Sequence, residues 1–366
     1  MTRVVIWDLP VRLCHGLLIG SVALAWASAG HDRWLDVHVF AGYGVLGLLG
    51  FRLWWGLIGT RHARFVAFRY GPRAALAYLR DLAAGRAARY LGHNPAGSWA
   101  IYLMLGLLLA VSASGLYVLG AEEGHGPLRG IGSIAAGVAM RAWHAALAWV
   151  LLALVAGHVA GVAMESRYHR ESLVRAMVDG CKLAAGADAA IPNVCRGVGL
   201  ALLMAFAGFA GFHFWGYATA TAERPYLPFT GQVLADDPTW REQCGACHTT
   251  YHPSLLPARS WAALLAGQRD HFGEDLVLEE SALAALGRFL TEHAAEREET
   301  EAAYRIHRSV AADATPLRIT ATPYWRDKHA AIPEPAWSAV GRRSNCGGCH
   351  LDAEQGSYAD GAMRLP

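Results

Sequence analysis

Residues 140–164 read MRAWHAALAWVLLALVAGHVAGVAM, an apolar run in which Arg141 is the sole Lys, Arg, Asp or Glu and two histidines stand fourteen positions apart. A run of this length and apolarity crosses a bilayer, which takes roughly 20 residues. Four more runs of the same kind lie near 11–29, 37–58, 97–120 and 195–218. The expected fold class is therefore all-α: a transmembrane four-helix bundle, plus a fifth transmembrane helix. The first run begins close to Met1 with no small-residue cleavage site behind it, so it reads as a retained helix and not as a removed signal peptide.

Apolar residues make up 54% of the 366 residues and charged residues 17%, a balance richer in apolar and poorer in charged residues than an ordinary soluble chain. The net charge of +2 hides two unlike halves. Residues 1–220 hold 18 Lys and Arg against 10 Asp and Glu, whereas residues 221–366 hold 14 against 20. No basic patch supports nucleic-acid binding. The connection between the second and third runs carries Arg61, Arg64, Arg69, Arg73, Arg80, Arg86 and Arg89, and that between the fourth and fifth carries Arg167, Arg170, Arg175 and Lys182. The two opposite connections are short and poor in bases, with Arg33 in one and Arg129 beside Glu122 and Glu123 in the other. By the positive-inside rule the N-terminus is expected in the cytoplasm, and five crossings place the C-terminal part outside. The domain boundaries expected are a membrane domain at 1–220, a linker at 221–235 in which Pro225 and Pro228 stop the helix, and a small, mostly helical domain at 236–366. The stretch 71–98 alternates apolar and basic residues, which suggests an interfacial amphipathic helix.

Four of the seven cysteines fall in two CxxCH strings. Cys244, Cys247 and His248 form the first, and Cys346, Cys349 and His350 the second. In this spacing one helical turn presents two thiols to the vinyl groups of one haem, and the adjacent His becomes the proximal iron ligand. Two copies completed by His favour c-type haem over a zinc or redox CxxC. Cys14, Cys181 and Cys195 have no partner at useful spacing and read as small buried apolar residues. A sixth iron ligand could come from His252, His271, His293, His307, His329 or Met363, which the spacing alone does not rank.

Titratable side chains inside a membrane are costly and usually functional. His15 lies near the inner start of the first run, His38 near the outer start of the second, and His144 and His158 on the fourth. Fourteen residues is close to four turns, so His144 and His158 project from one face, roughly 21 Å apart along the axis. Depth pairs His38 with His144 and His15 with His158, the arrangement for two stacked b haems. Gly16, Gly20, Gly42, Gly157 and Gly161 could admit a flat haem edge or equally serve close helix packing. Arg12 and Arg141 could pair with propionates or snorkel. His213, beside Trp215 and Tyr217, reads as an interfacial residue. His31, His62, His93, His125 and His169 fall in connections and are expected to be solvated.

Residues 240–366 resemble the small dihaem cytochrome c family through YHPSLLPARSW, HFGEDLVLEE, TPLRITATPYWRDKH, NCGGCH with AEQGSY, and MRLP. The resemblance implies His271 and His329 as distal ligands of two low-potential, bis-His c haems; which of them serves which CxxCH stays open, with His271 preferred for the first. Residues 1–180 resemble the bacterial cytochrome b561 family, close to the b-type subunits of Ni–Fe hydrogenases. The strings that carry this are WDLPVRLCHG, VHVFAGYGVLGLLGFRLWWGLIGTRHARF, GHNPAG at 92–97, and the His144/His158 pair. It implies His15, His38, His144 and His158 as ligands of two b haems. The family usually has an aromatic after the first His, where Gly16 stands here, which should alter local packing and leave ligation intact.

The leading expectation is an electron carrier of the bacterial inner membrane with two haem b and two haem c. It would link quinone or quinol in the membrane to a soluble periplasmic c-type cytochrome or other haem protein, the acidic outer domain favouring a basic partner. One alternative is the membrane subunit of a larger dehydrogenase complex. Another is a dihaem peroxidase or gas-binding enzyme with one open c iron.

Overall fold

The computed structural model describes residues 2–184, 193–221, 224, 226, 228–229 and 233–364. The chain forms two compact units. The first comprises Met1–Ala29, Val37–Gly115 and Arg141–Tyr226, and the second Gly30–Asp36, Leu116–Met140 and Leu227–Pro366. Part of the linker expected at 221–235 lies outside the described residues.

Strand β1 (Thr2–Val5) leads into helices α1 (Leu9–Ser28), α2 (Leu35–Ile58), α3 (Pro72–Ala83), α4 (Pro95–Ala121), α5 (Ile134–Tyr168) and α6 (Leu173–Asp179), which lie in the first unit apart from the start of α2, the end of α4 and the start of α5. Strand β2 (Cys181–Ala184) and helix α7 (Val194–Ala218) follow. Among the described residues, α1, α2, α4, α5 and α7 are long and apolar enough to cross a membrane. Helix α5 overruns the run read from hydropathy at both ends. Hydropathy marks the apolar centre, while Ala135, Ala136 and Ala139 before it and Glu165 and Arg167 after it favour helix and continue the backbone ladder.

Asp8 starts α1 and ties it to α2. Its carboxylate caps the helix by accepting from the Val11 amide, and it also accepts from Trp55 Nε1 at 2.9 Å and Thr60 Oγ1 at 2.7 Å. Asp8 is 2% exposed, so three donors satisfy a buried anion. Strands β1 and β2 pair antiparallel, with Val5 opposite Cys181. The turn before β2 needs Gly180: its φ is +82, and a Cβ there would approach the Trp7 carbonyl to 2.7 Å. The bundle core is Val45, Leu49, Leu108 and Leu151. Large apolar side chains such as Trp143, Trp149, Phe212 and Phe214 face outward, as lipid-facing residues do. Helix α3 buries Ala75, Tyr78 and Leu82, while Arg73 and Arg80 are exposed. This is the amphipathic helix expected in that connection. Cys14 and Cys195 are buried, in keeping with their apolar reading, and Cys181 is half-buried.

The second unit gathers the turn at Asp32–Trp34, the segment Leu116–Met140 and the C-terminal helices α8 (Pro238–Gly245), α9 (Ala258–Ala266), α10 (Glu280–Glu292), α11 (Glu301–Ser309), α12 (Pro323–Lys328) and α13 (Glu334–Val340). Asp237 caps α8 through the Trp240 amide at 2.8 Å. This seats Trp240 against Leu286, Phe289 and Leu290 of α10 in one core. A second core joins Leu255, Ala295, Ile306 and Val310. Cys244 of the first CxxCH packs against the first of these cores.

Candidate haem sites

The first CxxCH begins on the last turn of α8 with Cys244 and leaves Cys247 exposed just beyond it. The second forms a 3₁₀ turn, Cys346–Gly348. There the Cys349 amide donates to the Cys346 carbonyl at 3.1 Å, and the His350 amide to the same oxygen at 2.8 Å. The turn thus holds Cys346, Cys349 and His350 on one short arc.

Each CxxCH histidine faces another imidazole. His248 and His271 have ring centroids 6.4 Å apart with planes at 24°. His350 and His329 are 6.2 Å apart at 62°. In the bundle, His38 of α2 and His144 of α5 are 6.0 Å apart at 79°. Two imidazoles bound through nitrogen to opposite faces of one metal at about 2 Å put their centroids about 6.3 Å apart. His15 and His158 lie within electrostatic reach of one another.

Nδ1 of His38, His144, His248 and His329 is held as metal-binding imidazoles require, whereas Nδ1 of His350 is buried without a partner. His38 Nδ1 donates to the Ala25 carbonyl at 2.8 Å, and His144 Nδ1 to the Val111 carbonyl at 3.1 Å with Ser114 Oγ at 3.0 Å. His248 Nδ1 donates to Thr249 O at 2.7 Å and His329 Nδ1 to Trp325 O at 2.8 Å. With Nδ1 occupied, Nε2 is the coordinating atom each ring offers. Burial lowers the pKa of His271 and His329 and brings His350 down to about 4. These rings are therefore neutral at physiological pH, the form that binds a metal.

Spacing alone does not define such a site. His252 and His293 also stand 6.5 Å apart, but His252 uses both nitrogens, toward Ser254 and the Ala235 carbonyl. His293 is bonded to Glu298 at 2.5 Å. His307 is exposed. Met363 pairs with His350 through its backbone, in a single β-bridge.

Two further observations test the fit of haem in the bundle. At Gly16, Gly20, Gly42, Gly157 and Gly161 an added Cβ meets no atom within 4 Å, so these glycines do not serve close helix packing. Gly42 follows His38 by one turn and Gly161 follows His158 by about one turn, leaving room on the histidine faces. Arg52 Nη1 and His93 Nδ1 are buried without a protein partner, which suits acceptance by a propionate. Arg12 turns instead to the Val178 carbonyl.

Gly115 has no signal in a single sequence, yet its α-carbon lies against His144, and a Cβ there would come within 3.0 Å of Cε1. His213 donates to or accepts from Tyr226 at 2.8 Å and stacks on Phe40, a more enclosed setting than an interfacial belt. Of the histidines expected to be solvated, His31 is exposed, whereas His62, His93, His125 and His169 are half-buried. His93 lies between Trp7 and Phe68, and burial, with the Arg52 and Lys182 cations nearby, lowers it to about 3. Connections of a membrane bundle fold back onto it, so a loop position is a poor guide to solvation here.

Five apolar helices with facing histidines among them, followed by a unit with two CxxCH turns, define a membrane cytochrome. Residues 6–180 match the family described as prokaryotic cytochrome b561, and residues 240–358 the family described as dihaem cytochrome c. The first part of the chain is thus similar to b-haem electron-transfer proteins and the second part to c-haem ones. It is 26% identical over 217 residues to a probable Ni/Fe-hydrogenase B-type cytochrome subunit of Azotobacter chroococcum, covering 50% of this chain and 89% of the relative. The corresponding protein of Cupriavidus necator is 27% identical over 210 residues, covering 48% of this chain and 85% of the relative. Among solved structures, the dihaem cytochrome c from Rhodobacter sphaeroides is 37% identical, with 34% of this chain and 99% of that chain covered and a TM-score of 0.32. That from Shewanella baltica is 27% identical, with 36% and 95% covered and a TM-score of 0.29.

Proposed function

We propose that the chain holds two b haems and two c haems in bis-histidine sites, and that it carries electrons between the quinone pool and a soluble redox partner on the outer side of the inner membrane. The observation that carries this reading is the spacing of the histidine pairs, 6.0–6.4 Å between ring centroids in three of them. The pairs are His15 with His158, His38 with His144, His248 with His271, and His350 with His329. Cys244 and Cys247 would attach one c haem, Cys346 and Cys349 the other. When bound, haem supplies a one-electron iron couple. The protein's part is to fix the rings through Ala25, Val111, Thr249 and Trp325 and to tune the site by burial.

The Arg-rich connections favour a cytoplasmic N-terminus, and the short connections at Asp32–Trp34 and Leu116–Met140 fall in the unit of the C-terminal domain. That common membership supports a periplasmic placement for the domain. His271 and His329, facing the two CxxCH histidines, weigh against an open iron and so against the peroxidase reading. A pyridine haemochrome assay on the purified holoprotein tests the haem content. Equal b and c haem is expected, and a b:c ratio far from unity would overturn the assignment. An optical redox titration and mixing with quinol then test the carrier role: quinol should reduce both b and c bands.

A second reading rests on the relatives, two of which are described as hydrogenase subunits. In it the chain serves a larger redox complex and delivers electrons to quinone. Purification from native membranes separates the two readings, since a stoichiometric enzyme partner accompanies the chain in this case alone.

A further inference from the structure

Within the second unit, the turn Asp32–Trp34 and the segment Leu116–Met140 meet the C-terminal helices and turns at particular residues. Lys328 Nζ, one residue before His329, holds Asp32 Oδ2 at 2.9 Å and Asp360 Oδ1 at 3.5 Å. The Asp32–Trp34 turn packs on the Asp360–Ala362 turn, and the residue after that second turn, Met363, forms a β-bridge with His350. From the other connection, Glu122 lies with its side chain fully buried, taking a 2.7 Å ion pair from Arg305 Nη2. Arg305 Nε also reaches Glu301 at 3.2 Å. Glu122 and Gly124 line one cleft with Ser357, Tyr358 and Ala359. His125 stands 5.7 Å from Phe229 and within electrostatic reach of Asp352, two residues after His350. These contacts converge on the neighbours of His329 and His350.

The same connections run by covalent bonds into the His38–His144 pair. Asp36 precedes His38 by two residues and Met140 precedes His144 by four. The partners of His248 and His271 come from elsewhere: Thr249 and Tyr251 beside His248, Phe272 beside His271, and Arg318 stacked 4.1 Å over Phe272.

Resting on the haem assignment above, we propose an order for the two c sites. The site of Cys346, Cys349 and His350 with His329 exchanges electrons with the bundle. The site of Cys244, Cys247 and His248 with His271 exchanges them with the soluble partner. In each exchange one ferrous iron becomes ferric as its neighbour becomes ferrous. Asp32 and Glu122 are positioning residues that keep the bundle's connections on the inner c site.

The ring angles supply a label for the test. Near-parallel imidazoles at 24° and strongly crossed ones at 62° give low-spin ferric haems with different electron paramagnetic resonance spectra. Fully reduced holoprotein in lipid nanodiscs is mixed with less than one equivalent of ferricyanide and freeze-quenched. The near-parallel signal should appear first, a crossed signal next while the reduced b bands persist, and loss of those bands last, since His38 and His144 at 79° would give a crossed signal too. In the double variant Asp32→Asn, Glu122→Gln, b oxidation should slow several-fold while the first c signal keeps its rate. The midpoint of the crossed c haem should rise as two negative charges leave its surroundings, and that of the near-parallel one should stay. A crossed signal that appears first, or a midpoint shift confined to the near-parallel haem, overturns the order. Absence of two c-type ferric signals in the starting protein would instead refute the haem assignment.

Discussion

His38 and His144 face each other from different helices of the bundle with ring centroids 6.0 Å apart, each with Nδ1 directed at a backbone carbonyl of another helix. The carbonyls belong to Ala25 of α1 and Val111 of α4, so four helices set the geometry of one pair. Packing of the whole bundle, and not a local turn, fixes the distance.

On the proposed assignment, replacing either ring should remove one b haem and leave the other three haems in place. His144→Ala is expected to halve the b content by haemochrome assay with c content unchanged. Loss of both b haems would mean that the pairs depend on each other for folding.

Gly115 gives a milder route to the same site. An alanine there forces His144 to yield by a few tenths of an ångström, and a valine displaces it. Gly115→Val should lower outer b-haem occupancy and Gly115→Ala should shift its midpoint. Unchanged spectra in both variants would show that His144 has another place to sit.

Axial ligation gives a test of the c pairs. In His329→Met a thioether replaces an imidazole, and Met/His ligation raises the potential. One c midpoint should rise by a sizeable part of the ~0.8 V range that axial ligands span. A variant whose c midpoints all hold would remove His329 from the ligand set.

Asp8 offers a test of the bundle without haem. Asp8→Ala leaves the Trp55 indole, the Thr60 hydroxyl and the Val11 amide without their acceptor. A buried donor left unsatisfied costs about 1–3 kcal/mol, so the variant should melt several degrees below the parent in detergent. A melting point within a degree of the parent would mean that water replaces the carboxylate.

Asp360 predicts an unusual pH dependence for the second unit. Burial above all, then Glu301 and Asp32 against the pull of Lys328, raise it from 3.8 to about 7, and Glu123 lies in the same cluster. The folded form holds a proton that the unfolded chain has lost, so this group's effect on stability declines as pH rises from about 4 to 7 and is level above. Hydrogen exchange in the unit, compared between parent and Asp360→Asn, should show this slope in the parent and not in the variant.

The five long helices were legible because a soluble fold rarely needs so long an uncharged run, and the CxxCH strings because their chemistry is written in adjacent residues. Helix α5 was legible in its centre and not at its ends, where residues 134–139 and 165–168 extend it by backbone bonds that hydropathy does not weigh. The ladder of β1 and β2 joins segments 176 residues apart over four residues each, too short for a periodic signal. Gly115 and Asp8 matter through partners on other helices, and His93 through a loop folded back on the bundle. None of these relations is local in the chain.

If His248 and His271 bind one haem as proposed, their order in the chain bears on how the protein is made. Both His271 and His329 lie between the two haem-attachment strings, so a haem newly joined at Cys244 and Cys247 meets two competing imidazoles. Closing the shorter of the two loops, 23 residues against 81 along the chain, is favoured by about 1 kcal/mol on chain entropy alone. Sequence order thus biases the first haem toward its own partner before the second string is filled. Lengthening the stretch between His248 and His271 should raise the fraction of miswired protein recovered from synthesis.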